Sequence, residues 1–318
     1  MYFPYLRGRQ YELLALKELV ARGLIHDQVV PIVEPVKMSP TLLSTLDEFD
    51  KRGCPVAVIR NPKVGSFNFE ISDSSKRDAS NVMLQKWNFV IRRSTFLHSV
   101  IMDRESDDVF TQLESEGVDK HGCLVVLNDR ESLSSYETVF ANSKPRYVLI
   151  PDESAFRRRV EKPRVVLSDH FCKKDRNSDY IKCQTEFFSD EHLYYKDDGY
   201  IGFSDYSIVG DNYMDAGFAP YAIAIHIVFF DVDGSLKIQH FVSDDNEDIS
   251  NPAMKFYQAV GKLHKWVVSN KSLVGMTFGL QSFLDLYKSQ SYPGLGSLKK
   301  LSIMHHIELM DQYLEKVK

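Results

Sequence analysis

Nowhere does this sequence hold an apolar run approaching the ~18 residues of a membrane-spanning helix, so no membrane span is expected. Its four cysteines, Cys54, Cys123, Cys172 and Cys183, are scattered, with no Cys-x-x-Cys pair and no close His/Cys spacing. Neither a zinc module nor a disulfide framework is expected from them. Residues 1–9 contain no basic stretch leading into an apolar one, which points to a reducing, cytoplasmic setting. Positive charge is also short. The 39 basic residues face 44 acidic ones, a formal net charge of -5, so no chain-wide field exists to hold a nucleic-acid backbone and any such contact has to be local. Gly-x-Ser-x-Gly, P-loop, Gly-x-Gly-x-x-Gly and His-Glu-x-x-His patterns are all missing. The serine-hydrolase, NTPase, dinucleotide-binding and zincin classes thereby lose their usual support.

What remains is ordinary globular material, 43% hydrophobic and 26% charged, enough for one large barrel or two modest domains. Short runs rich in Val, Ile and Leu recur at 2–6, 29–33, 56–59, 99–102, 123–127, 147–150, 164–167 and 200–204. They are nearly continuous in apolar character, the pattern of strands covered on both faces. Helix-competent stretches alternate with them at 11–22, 40–52, 75–96, 107–116 and 131–142, and more weakly at 153–160 and 175–195. Such alternation predicts an α/β fold, a (β/α)8 TIM-type barrel over 1–220. An open doubly wound sheet is the alternative, because periodicity does not report closure. Runs at 221–230 and 236–242 flank Asp231-Val232-Asp233-Gly234, which predicts an appended β-hairpin over 221–245. Helices at 251–268, 272–288 and 297–317 make 246–318 a carboxyl-terminal helical segment packed on the barrel, the whole forming one compact unit.

In such barrels the carboxyl ends of the strands build the working site. Every apolar run here ends on polar residues: Arg7, Glu34, Arg60-Asn61, Asp103-Arg104, Asn128-Asp129, Asp152-Glu153, Asp169-His170 and Asp205-Tyr206. Helix caps and turns explain many residues of these types, and that reading suits Arg104, Asp129 and Glu153 best. Glu34 is different, because it interrupts Ile32-Val33 and Pro35-Val36 and needs a partner if buried; Arg7 or Arg60 could supply it. The Arg60 guanidinium is expected to point over the mouth as a fork for a carboxylate or phosphate. Arg7, Arg60, Asn61, Asn128 and Tyr206 are therefore candidate substrate-binding residues. Glu34, Asp103 and Asp205 offer the oxygen ligands that Mg2+ or Mn2+ prefers. Glu34, Asp169, His170 and Asp205 are the candidate catalytic groups, with His170 preferred to His226 as general base. A pair of carboxylates equally fits glycoside hydrolysis.

The 202–213 segment is dense in Gly, Asp, Ser and aromatics, the composition of a ligand loop or of a packed corner. Tyr194, Tyr195, Tyr200, Phe203, Tyr206, Tyr213, Phe218 and Tyr221, in and around it, could stack on a base or build a seam. The opening Tyr2-Phe3-Pro4-Tyr5-Leu6-Arg7-Gly8-Arg9-Gln10-Tyr11-Glu12, Pro31-Ile32-Val33-Glu34 and Gly202-Phe203-Ser204-Asp205-Tyr206 resemble the Beta protein family of phages and bacteria. The resemblance runs over about the first 245 residues. It implies a barrel-like domain and a setting among phage and mobile-element genes, hence a role in phage conflict, and no settled activity. Two expectations follow. One is a metal-assisted hydrolase or phosphodiesterase acting on a nucleotide, a nucleic-acid end or another phosphate-bearing substrate. The other is a non-catalytic recognition or scaffold subunit for a partner protein encoded nearby, docking through the barrel mouth, the ribbon or the apolar face of the last helices.

Overall fold

Continuous apolar runs cannot leave either face of a strand in water, and here they assemble into one parallel sheet wrapped by helices. The structure, a computed structural model, describes residues 1–72, 79–214 and 219–317, without the side chains of 79–81. Strands β1 (Tyr5–Leu6), β2 (Ile32–Val33), β3 (Val56–Ile59), β4 (Phe96–Ile101), β5 (Leu124–Val126), β6 (Tyr147–Ile150) and β7 (Arg164–Ser168) pair in sequence order. After β8 (Thr185–Ser189), which belongs elsewhere, β9 (Gly202–Asp205) takes the eighth place beside β7. The sheet closes where the Phe203 carbonyl accepts the Phe3 N–H at 2.9 Å and the Phe203 N–H donates to the Met1 carbonyl at 3.1 Å. The α/β TIM-type barrel is thus the fold, and the open sheet is not.

The first two outer helices carry clear local signals. Helix α1 (Gln10–Ala21) buries Leu13, Leu16, Leu19 and Val20 at helical spacing. In α2 (Pro40–Arg52) the Ser39 hydroxyl accepts the Leu42 N–H at 3.1 Å, Pro40 occupies the first turn, and Gly53 ends the helix at φ 64°. The helix expected over 75–96 is present as α4 (Ala79–Val90), preceded by the short α3 (Phe67–Ser72); residues 75–78 of that expectation lie outside the described residues, and its end at Phe96 already belongs to β4. Then come α5 (Ser106–Ser115), α6 (Leu133–Val139) and α7 (Ser154–Arg159). The barrel interior is filled by Phe3, Tyr5, Val30, Ile32, Ala57, Ile59, Leu97, Ile101, Leu124, Val126, Leu149, Val165, Leu167 and Tyr206. Each large aliphatic buried there contributes roughly 1.5–3 kcal/mol.

The chain divides into two units at boundaries other than those expected: 1–169 with 194–206 form the barrel unit, and 170–193 with 207–318 form the second. Residues 175–195, expected as a weak helix, instead supply a 3-10 turn, β8 and the short α8 (Glu191–Tyr194). The hairpin of β10 (Ala224–Phe230) and β11 (Leu236–Val242) forms as expected, with Gly234 at φ 85° in its turn. It does not stand alone, because β8 pairs antiparallel with β11 and makes a three-stranded sheet. Helices α9 (Pro252–Ser269) and α11 (Leu295–Lys316) pack against this sheet, and α10 (Phe278–Ser289) packs against both of them. Gly279 permits the α10–α11 approach, since a Cβ there would lie 2.5 Å from the Leu301 carbonyl oxygen. Phe218 lies outside the described residues. Among the described residues no helix is long and apolar enough to cross a membrane.

Candidate functional site at the carboxyl-terminal mouth of the barrel

Side chains along a strand alternate between faces, so the interior residues set the parity of every strand end. Counting on by two from Tyr5, Ile32, Ile59, Ile101, Val126 and Leu167 gives Arg7, Glu34, Asn61, Asp103, Asn128 and Asp169, with Tyr206 already in the interior cluster. These residues share the inward register at the carboxyl rim. Arg60, Asp152 and Asp205 fall on the opposite parity.

At the centre of the rim Glu34 is fully buried. Its Oε2 accepts the Tyr5 hydroxyl at 2.7 Å and the Arg7 Nη1–H, and its Oε1 accepts the Lys63 backbone N–H at 2.7 Å. Two glycines allow the loops to come this close. Gly8 sits at φ 61° with its missing Cβ 2.8 Å from the Glu34 carbonyl oxygen, and Gly65 sits at φ 77° with its missing Cβ 2.1 Å from that of Val36. The Arg7 guanidinium carbon lies 5.2 Å from the Tyr5 ring centre and 5.3 Å from that of Tyr206, a two-sided cation–π arrangement. Burial works against the Arg7 charge, but Tyr5 and Glu34 more than restore it, and its pKa ends above the usual arginine value. Burial, reinforced by Glu34, raises the Tyr5 phenol well above the ordinary range, so it remains a proton donor.

Beside this core the Lys63 ammonium pairs with Asp103, which also accepts the Ser106 hydroxyl and the Glu105 N–H, each at 2.9 Å. Burial alone would raise the Asp103 pKa; the hydrogen bonds from Lys63 and Ser106 outweigh it and hold the carboxyl below its usual range. Asn61 spends both ends of its amide on the Ile101 backbone, at 2.8 and 2.9 Å, tying the end of β3 to that of β4. Asn128 and Asp169 are exposed.

Arg60 and Asp205 lie on another face of the barrel wall. Arg60 does not point over the mouth: its Nη1–H donates to His98 Nδ1 at 2.9 Å and its Nη2–H to Glu116 Oε2 at 2.7 Å, on the helix-facing side of the wall. The partner of Glu34 is Arg7. Asp205 turns to the same outer side, where its Oδ1 accepts the Tyr2 hydroxyl at 2.8 Å and the Tyr2 ring stacks on Phe203 at 5.1 Å. His170 belongs to the second unit, its Nε2 3.2 Å from Glu191 Oε2. Within the barrel unit Asp205 does not share the inward face of Glu34, Asp103 and Asp169, so the metal set Glu34, Asp103 and Asp205 is not gathered at one place. Among the described residues no three His, Cys, Asp or Glu side chains come together as a group that could hold a metal ion. Tyr5 and Lys63 were missed as site residues, although counting parity from Phe3 would have found Tyr5. No protein-family model, no curated protein and no solved structure matches this chain, so the geometry of the mouth is the ground on which its function is read.

Proposed function

We propose that the carboxyl-terminal mouth of the barrel receives a phosphate-bearing ligand, a nucleotide or a nucleic-acid end, with Arg7 meeting the phosphate. The supporting observation is the setting of Arg7: one Nη is held on a buried carboxylate, the plane is flanked by two tyrosine rings, and the side chain is 14% exposed at the rim. A guanidinium oriented in advance in this way suits a tetrahedral or planar oxyanion and loses little freedom on binding it. Glu34 is a positioning residue in this reading, since its acceptor sites are occupied by Tyr5, Arg7 and the Lys63 N–H. Lys63, whose side chain is 42% exposed, is the second cation, and exchanging Asp103 for a phosphate costs it at most about 1 kcal/mol. Hydrolysis of the ligand would fall to the rim carboxylates Asp103 and Asp169, which would also meet any Mg2+ or Mn2+ carried in by the phosphate. The likeness of 2–12, 31–34 and 202–206 to the Beta protein family supports a setting in phage conflict. The partner-protein reading has less support at the last helix, because Leu298, Leu301, Ile303, Met304, Ile307 and Leu314 of α11 are buried.

Thermal-shift and calorimetric titration with nucleoside phosphates, with and without Mg2+ or Mn2+, tests the reading. Nucleoside phosphates should raise Tm where the parent nucleosides do not. Arg7→Lys, which keeps a cation on Glu34 but removes the fork, should weaken binding about tenfold or more. Equal affinity in wild type and Arg7→Lys, or no response to any phosphate, overturns it.

A further inference from the structure

At the other end of the barrel, the segments that enter β2 to β6 surround a cavity of about 610 Å3. We propose that this cavity is a second ligand site, for an organic anion that carries a carboxylate or phosphate on an apolar body. The inference is independent of the reading of the mouth.

Its chemistry starts from Arg60, the arginine that faces away from the mouth. Arginine has only donors, so the 2.9 Å contact to His98 Nδ1 requires that nitrogen to accept, and the ring proton must sit on Nε2. Burial first, and then the Arg60 charge, pull the His98 pKa down to about 4, so the ring is neutral near pH 7. Glu116 holds the other arm of Arg60 at 2.7 Å and is itself steadied by the Gln112 amide at 3.1 Å. Gln112, Glu116 and Arg60 thus form a chain that locks His98 into one tautomer. His98 lines the cavity, and its Nε2–H has no hydrogen-bond acceptor among the described residues, which leaves it as a donor for a ligand.

Two cations beside that donor can meet an anion. Arg92 and Arg146 line the cavity, are exposed, and pair with no carboxylate among the described residues. The other charged side chains of the lining are mostly engaged. Arg93 is held by Asp47 and Asp50 at 2.9 Å each, Glu116 by Arg60, and Asp119 accepts the His121 N–H at 2.9 Å. Asp27 and Asp119 pair with no cation among the described residues, so the anion is met by Arg92, Arg146 and the His98 Nε2–H together and not by an excess of positive charge. Val30, Pro55, Phe96, Leu97 and Tyr147 give the wall an apolar part beside its polar one, which suits a ligand with a hydrocarbon or aromatic body better than a bare inorganic ion.

Benzoate and phenyl phosphate are the probes, followed by calorimetry and by long-range 1H–15N spectra of the histidines. At least one probe should bind saturably to wild type and to Arg7→Lys, and about tenfold or more weakly to an Arg92→Ala/Arg146→Ala double variant, whose exposed positions leave the fold intact. The spectra should show His98 protonated on Nε2 only, and Arg60→Met should admit the other tautomer. The proposal is overturned by any of three outcomes: no saturable binding at millimolar probe, equal affinity in the double variant, or a loss that follows Arg7→Lys instead. Preference for benzoate or for phenyl phosphate identifies the anionic group.

Discussion

Arg7–Glu34 and Arg60–Glu116 are the same chemical pair built into one barrel wall, yet they serve opposite faces of it. In the first pair Glu34 is wholly buried and Arg7 is aimed at the mouth. In the second, Glu116 keeps 21% exposure and Arg60 reaches across the outer side of β3 and β4 to His98. Both arginines follow an apolar strand closely. What separates them is whether their position is odd or even relative to the interior residues, a difference that a one-residue shift would reverse. A charged residue at a strand end therefore becomes part of a barrel mouth only if it shares the parity of the core.

The most demanding test of this contrast is removal of each carboxylate. Glu34→Ala removes the buried acceptor shared by the Arg7 guanidinium, the Tyr5 hydroxyl and the Lys63 N–H, and should cost about 3–5 kcal/mol in urea unfolding. A loss below about 1 kcal/mol would mean that the buried pair is no different from a surface one.

A second contrast is between the two units under acid. In the second unit burial is the main cause that holds His226 at about 3, with His240 adding to it; His306 is also near 3, chiefly by burial, and His305 near 4. These folded values lie below the unfolded value of about 6.5, so the unfolded chain binds more protons. Their contribution is intact above pH 6.5 and is lost as pH falls toward 3 to 4, each group costing roughly 2 kcal/mol by pH 5. In the barrel unit His98 is held near 4, burial again being the main cause. Each unit also holds one tryptophan, Trp87 in the barrel and Trp266 in the second. Fluorescence of Trp87→Phe, which reports the second unit, should therefore change at higher pH than that of Trp266→Phe. Coincident transitions would show that the units do not differ in this way.

The smallest effect is expected at the outer pair. Glu116→Gln should cost about 1 kcal/mol or less, because the carboxylate is partly solvated and Arg60 retains His98. A cost matching that of Glu34→Ala would erase the distinction between the faces.

Much of the fold could be read in advance because its signals are local. Runs at 56–59 and 147–150 match β3 and β6, and Ser39-Pro40 and Gly53 bound α2. Strand β8 was invisible for the opposite reason. Thr185-Glu186-Phe187-Phe188-Ser189 is short and mixed in polarity, and it becomes a strand by pairing with the distant β11. The same limit applied at the site. The need of Glu34 for a partner was legible from its apolar neighbours, and so was Arg7 as a candidate. Taking whichever polar residue came first after each run, without counting parity, put Arg60 and Asp205 at a mouth they do not face.

Apolar periodicity along the chain determined the strands, most helices and the ring of polar strand ends, since alternating burial is a property of neighbouring residues. Closure of the sheet, the transfer of β8 to the second unit, the Glu34–Arg7–Tyr5 cluster and the Arg60–His98 contact were decided by tertiary structure. Each joins atoms from segments far apart in sequence, and the energy of such a contact exists only once the barrel has brought them within hydrogen-bond reach.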